Sequence, residues 1–177
     1  MSAIKRNDLF LEAITTRVEV HLAPSWEWCT LPYPGHPHGC PNFDKGYPDC
    51  PPLAPCIEEV VDLSRPVWWV GSAFDLATFR QRMLALHPDW SERQAECVLY
   101  WQSSVRKRNG ILIAQFLAEH PGTAAFSPEA MGINVTTTLR TAGIDIRWKR
   151  PLQIVHKGVM VGYPLPGCED DPTFYLP

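Results

Sequence analysis

This sequence predicts an α/β or α+β fold in a single domain spanning residues 1–177, and three observations carry that prediction. Short stretches alternating apolar and polar residues interleave with stretches whose apolar residues recur at helical spacing. The helical pattern over 91–122 far outlasts any strand pattern, so a long helix packed on a sheet of four to five strands is expected. Apolar residues at 45% and charged residues at 20%, in a chain of 177 residues, suffice for a buried core.

Taken in order, residues 3–13 carry Ile4, Leu9, Phe10 and Ala13 at roughly helical spacing and predict a short amphipathic helix. TRVEVHL (16–22) alternates Val18, Val20 and Leu22 against polar neighbours and predicts a strand, which Pro24 ends. IEEVVDL (57–63) fits a helical turn or an extended stretch, and VWWVG after Pro66 is a buried-strand run. Phe74, Leu76, Phe79, Met83, Leu84 and Leu86 form a helical stripe stopped by Pro88.

Ser91 and Gln94 then make a capping box for the longest element, with Ala95, Val98, Leu99, Gln102 and Val105 along one face. Asn109-Gly110 is its predicted weak point, dividing one long helix or two joined ones, and Pro121-Gly122 its end. Ser127 and Pro128 open a helical turn that Gly132 closes, and Asn134 caps a helix that ends at Gly143. IDIRW (144–148) predicts a strand, and LQIVHKGVMVGY (152–163) a strand or a hairpin turning at Lys157-Gly158. The acidic, proline-containing segment 164–177 predicts a surface tail.

One segment fits neither pattern. Residues 29–56 hold four of the six cysteines, two of the six histidines and eight of the eighteen prolines. Each proline removes a backbone donor, so the segment is neither helix nor central strand, and few aliphatic side chains are present to order it by burial. A metal or cluster bound through Cys29, Cys40, Cys50 and Cys56 is the expected organiser, with the loop hanging from the first strand.

The gaps between these cysteines are ten, nine and five residues, and no C-x-x-C pair occurs. Zinc sites usually draw two thiolates from one tight turn, so wide gaps weigh against zinc without removing it. They suit a 4Fe-4S cluster, whose corner irons are spread apart. Four ligating cysteines would close the cluster for electron transfer or structure. Three, with Cys29, Cys40 and Cys50 bound and Cys56 spare, would leave an open iron for an enzyme.

His36 and His38 could supply imidazole, although solvated loop histidines are the simpler explanation. Asp44, Lys45 and Asp49 could move protons near an open iron, and as turn residues they need no such role. Cys97 falls on the apolar side of the long helix and fits a buried small hydrophobe. Cys168 fits a bystander thiol in the tail, or a ligand if the tail folds back.

Two blocks resemble a known family. CPNFDKGYPDCPP (40–52) resembles the C-x-x-Y-G-x-x-W-x-CPP stretch of a widespread prokaryotic family of predicted metal-binding proteins. SPEAMGINVTTTLRTAGI (127–144) resembles that family's later S-M-E-A-x-G-I-D-V stretch, which a helix and a strand follow. The blocks come in the same order and the terminal strands agree, so the likeness spans most of the chain. It implies a thiolate-bound metal, in the form of an iron–sulfur cluster, with Cys40 and Cys50 carried over as ligands, and no established reaction. Family members carry further cysteines just before the second block, where this chain reads FLAEHPGTAAF. Either Cys29 and Cys56 take over that duty or a second site is lost.

Other classes are disfavoured. A formal charge of −3 gives no global basic field for nucleic acid or an anionic membrane. No run of eighteen apolar residues predicts a membrane span, and Lys5 and Arg6 are followed by no apolar core of a secretory signal. A reducing cytoplasm is therefore the expected location, where a disulfide framework is disfavoured. Arg106, Lys107 and Arg108, with Arg147, Lys149 and Arg150, lie near Trp101 and Trp148 and could grip a single strand of nucleic acid, though a solvated helix face and a strand edge explain them as cheaply. Glu129 suits the first turn of a capped helix.

The expected function is thus an iron–sulfur protein acting in electron transfer or as an enzyme, with a redox partner or a small-molecule substrate. The alternative is a zinc-stapled interaction module whose basic clusters touch a partner, nucleic acid included. Catalytic residues are not legible in the sequence.

Overall fold

In the computed structural model, which describes residues 7–32, 36–48, 50–148, 152–170 and 174–175, three long antiparallel strands form the body of a mixed α+β fold. These are β1 (Phe10–Val18), β2 (Val67–Asp75) and β4 (Ile154–Gly162), and two short pieces, β3 (Ala124–Phe126) and β5 (Phe174–Tyr175), extend the edge in the order β1-β2-β4-β3-β5. The expected count of four to five strands is met only by including these short pieces. All neighbours pair antiparallel, so the arrangement is α+β and not α/β.

The helices are α1 (Ile57–Val60), α2 (Leu76–Leu86), α3 (Glu92–Ala95), α4 (Gln102–Glu119) and α5 (Val135–Thr141). Successive β2 side chains point to opposite faces of the sheet. Val70 packs with Ile113 and Phe116 of α4, and Phe74 with Phe79, Trp101 and Val105. Val67 and Trp69 instead join Met131, Leu139 and Ile146 on the other face. Among the described residues no helix is long and apolar enough to cross a membrane.

Several local expectations are corrected. A 3-10 turn at Asn7–Leu9 and then β1 occupy the described part of the expected first helix, while Ile4 lies outside the described residues. Pairing with β2 overrides the weak helical pattern there. The strand also ends at Val18, opposite Val67, because the next partner is Pro66 and has no N–H to give. The chain 144–148 forms no strand; Ile146 N–H turns back to Ile144 O at 2.9 Å, and the Arg140 guanidinium donates to Ile146 O at 2.6 and 3.0 Å.

The long helical pattern breaks between α3 and α4, where Trp101 turns into the core and its Nε1 donates to Glu96 O at 3.2 Å. Cys97 therefore sits in a half-buried connection, and Val98 and Leu99 are exposed instead of lining a helix face. Asn109-Gly110 stays helical because Asn109 is fully engaged. It accepts from Ser72 Oγ and donates to Lys157 O, both at 2.7 Å.

The segment 154–162 is one strand without a hairpin, for Gly158 is needed elsewhere. It faces Gly71 across the ladder, and a Cβ on it would lie 2.5 Å from Val70 O. The 164–177 segment is more than a surface tail. Leu165 N–H donates to Val60 O at 2.8 Å, Cys168 packs against the core, and β5 pairs with β3.

Candidate functional site

The cysteine loop begins with a 3-10 turn at Ser25–Thr30, which presents the half-buried Cys29. The chain returns at His36–Cys40 and presses against this turn. Gly39 adopts a φ of +84°, and a Cβ there would lie 2.3 Å from Cys29 O, so only glycine fits. That close approach lets Cys40 N–H donate to Cys29 O at 2.6 Å and sets the two cysteines side by side.

Beyond them, Phe43 N–H returns to Cys40 O and Asp44 N–H to Pro51 O, each at 3.1 Å. Cys50 is half-buried in a turn whose carbonyl accepts from Leu53 and Ala54 at 3.0 Å. Cys56 is exposed at the start of α1, its N–H donating to Glu59 Oε2 at 2.9 Å. His36 is half-buried, His38, Asp44 and Lys45 are exposed, and Asp49 lies outside the described residues.

The loop wraps the other block singled out in the sequence. Ala23 N–H donates to Gly132 O at 2.9 Å, Asn134 N–H to His21 O at 2.8 Å, and Leu22 bridges to Ile133. The turn carrying Cys29 packs on a second 3-10 turn, Glu129–Met131. Cys56 shares a small cleft of about 310 Å³ with Met131, Gly132 and Trp26. Burial, and then the nearby Cys40 and the Glu129 carboxylate, push the Cys29 thiol up and favour its neutral form.

Glu129 is the residue that sequence reasoning misjudged. Its turn is too short to be a capped helix, Ser127 caps nothing there, and the carboxylate acts on Cys29 and Lys157. Its position in the same block as Met131 and Gly132 was the available signal.

As a metal site the fit is partial. Thiols of the right chemistry are present and Cys29 and Cys40 are adjacent, yet among the described residues no three His, Cys, Asp or Glu side chains are placed to hold one ion. Cys29 and Cys40 meet through their backbones, Cys56 lies beside Met131 and Gly132, and the Cys50 carbonyl closes a turn with Leu53 and Ala54.

Among the described residues the basic clusters build no stacking platform. Trp101 is only 5% exposed, packed on Phe74, and Arg147 pairs with Asp145 at 2.5 Å. Trp148 is exposed, while Lys149 and Arg150 lie outside the described residues.

The fold and loop describe an α+β protein with a thiol pair at the edge of a half-covered sheet face. No family model matches the chain, and neither a curated protein nor a solved structure matches it.

Proposed function

We propose that the loop 29–56 binds a thiolate-ligated iron–sulfur cluster, acting in electron transfer or as an enzyme with an open iron. The observation that supports this most is the Cys29–Cys40 pair, held together by a backbone hydrogen bond across a glycine that nothing larger can replace. A polar, proline-rich loop that spends a positive-φ glycine on bringing two cysteines together has a use for both. Cys50 and Cys56 would complete the ligand set, and the long turns that carry them leave room for the loop to close around a cluster. When bound, the cluster would supply one-electron chemistry or Lewis acidity. The chain's own contribution is to keep Cys29 and Cys40 half-buried, with the Glu129 carboxylate near Cys29. The resemblance of both blocks to a metal-binding family points the same way.

Iron and acid-labile sulfide analysis of protein purified without oxygen tests this reading. Brown protein absorbing near ~400 nm, with Cys40→Ser losing its iron, is the expected result. Full iron in Cys56→Ser alone selects the open-iron form. Colourless, stoichiometrically zinc-loaded protein would instead select the zinc-stapled module.

A further inference from the structure

Lys157 is the one charged side chain that β4 turns toward α4. It stands opposite Ser72 across the ladder, and directly opposed residues of antiparallel strands point to the same face. Ser72 reaches Asn109 of α4 at 2.7 Å, so Lys157 lies on that helical side. There Gln102, Arg106 and Asn109 fall on one stripe of α4, four and then three residues apart. With its amide turned to accept, Gln102 takes Lys157 Nζ at 3.0 Å and Arg106 Nη2 at 3.3 Å. One neutral acceptor thus holds two cations no more than two hydrogen-bond lengths apart.

Like charges this close repel each other. Among the described residues the ion pairs take up Arg80, Arg82 and Arg147, and none includes Arg106 or Lys157. Burial, and then the Arg106 charge, lower the Lys157 pKa, and the Glu129 carboxylate pulls the other way without prevailing. Arg106 and Lys157 also line one cleft of about 240 Å³, beside the half-buried Ser127, which caps no helix. Ile113 and Val159 give the cleft an apolar side, and Gly110 and Gly158 put no side chain into it. A guanidinium fork, an ammonium and a hydroxyl are groups that recognise a phosphate. Two cations match a dianion better than the single charge of a carboxylate. The volume is below that of a drug-sized pocket, so the body attached to the phosphate must be small.

We propose that the cleft between α4 and β4 binds a small phosphate monoester, its dianion between Arg106 and Lys157 beside Ser127 and its body against Ile113 and Val159. No described cysteine lines this cleft, so the site stands apart from the cluster proposed for loop 29–56.

Calorimetric titration of the full chain with phenyl phosphate, at constant ionic strength and with benzoate as the singly charged control, tests the proposal. Saturable one-site binding is expected, at least tenfold tighter than that of benzoate. Arg106→Gln and Lys157→Met should each weaken it tenfold or more, while Arg147→Gln, which removes a guanidinium already paired with Asp145, should leave it unchanged. Arg106 is exposed on its helix, so Arg106→Gln decides the matter should Lys157→Met fail to fold. Competition by a single-stranded thymidine oligomer separates a free monoester from a nucleic-acid backbone. Absence of saturable binding, equal affinity for benzoate, binding that Arg106→Gln leaves unchanged, an equal loss in Arg147→Gln, or tighter binding of the oligomer would each overturn it.

Discussion

Alternate residues of β2 meet two surfaces that are finished to different degrees. On one side, Val70, Ser72 and Phe74 face α4, and even the polar members are matched: Ser72 and Asn109 satisfy one another, and Asn109 also takes Lys157 O. On the other side, Trp69 keeps an unpartnered Nε1, and the cover consists of short 3-10 turns, the seven-residue α5 and the cysteine loop. Helices spanning many turns can close a face with their own side chains. Turns and proline-rich coil leave gaps, and cavities of about 980 and 370 Å³ lie on this side, against one of about 240 Å³ beside Arg106, Asn109 and Ile113 of α4. One face is closed by long helices, and the other keeps the larger openings and an unpartnered donor.

The sharpest way to break this contrast is a deletion on the finished face. Phe74 is fully buried, stacked on Trp101 with centroids 5.4 Å apart and tilted against Phe79 at 5.8 Å. Phe74→Ala should destabilise by roughly 3–5 kcal/mol, the transfer and cavity cost of a large core aromatic. Urea unfolding followed by far-UV circular dichroism measures it. A loss below about 1 kcal/mol would mean the α4 face is not the stabilising one.

Gly39→Ala probes the cover of the other face. A methyl group there meets Cys29 O and must adopt a left-handed backbone, about 1–2 kcal/mol of strain before the clash. The loop opens more cheaply than the core, so the global unfolding free energy should fall by less than about 1 kcal/mol. Limited proteolysis should meanwhile speed up severalfold within the loop, and bound metal should be lost. A cost matching that of Phe74→Ala would place the loop inside the cooperative core and end the comparison.

The sequence made the finished face legible more readily than the other. Its signals are periodic: the α2 stripe and the Ser91–Gln94 capping box both appear where spacing puts them, with Ser91 Oγ accepting from Gln94 N at 3.3 Å. The Asn134 cap on α5 was equally clear, its Oδ1 accepting from Thr137 N–H at 3.0 Å. What escaped depends on distant partners. Nothing local says that Pro66 will end β1, that Asn109 will turn inward and keep α4 whole, or that Gly158 must pass Gly71. At the site, cysteine chemistry and the two blocks were visible, and their contact through Glu129 was not. A carboxylate in a first turn looks the same whether it faces water or a thiol.

The smallest effect concerns His156, on the unfinished face near Glu12 of β1 and Asp145 of the segment after α5. Burial lowers its pKa from 6.5, and the two carboxylates pull the other way without prevailing. The folded chain then binds fewer protons than the unfolded chain in the window just below 6.5. Stability from this residue is therefore complete above that window and declines as pH falls through it, levelling off once the folded imidazole also protonates. His156→Gln should flatten this part of the profile, so urea midpoints of the two proteins should run parallel above pH ~7 and converge or cross below ~6. On the well-packed face the same experiment would need a buried imidazole, and the half-buried His120 there stacks on Phe116 at 3.9 Å with Nδ1 2.9 Å from Phe116 O. Parallel midpoints across the whole range would mean that His156 is as open to solvent in the folded chain as in the unfolded one, and the groove beside it would lose its claim to be a covered surface.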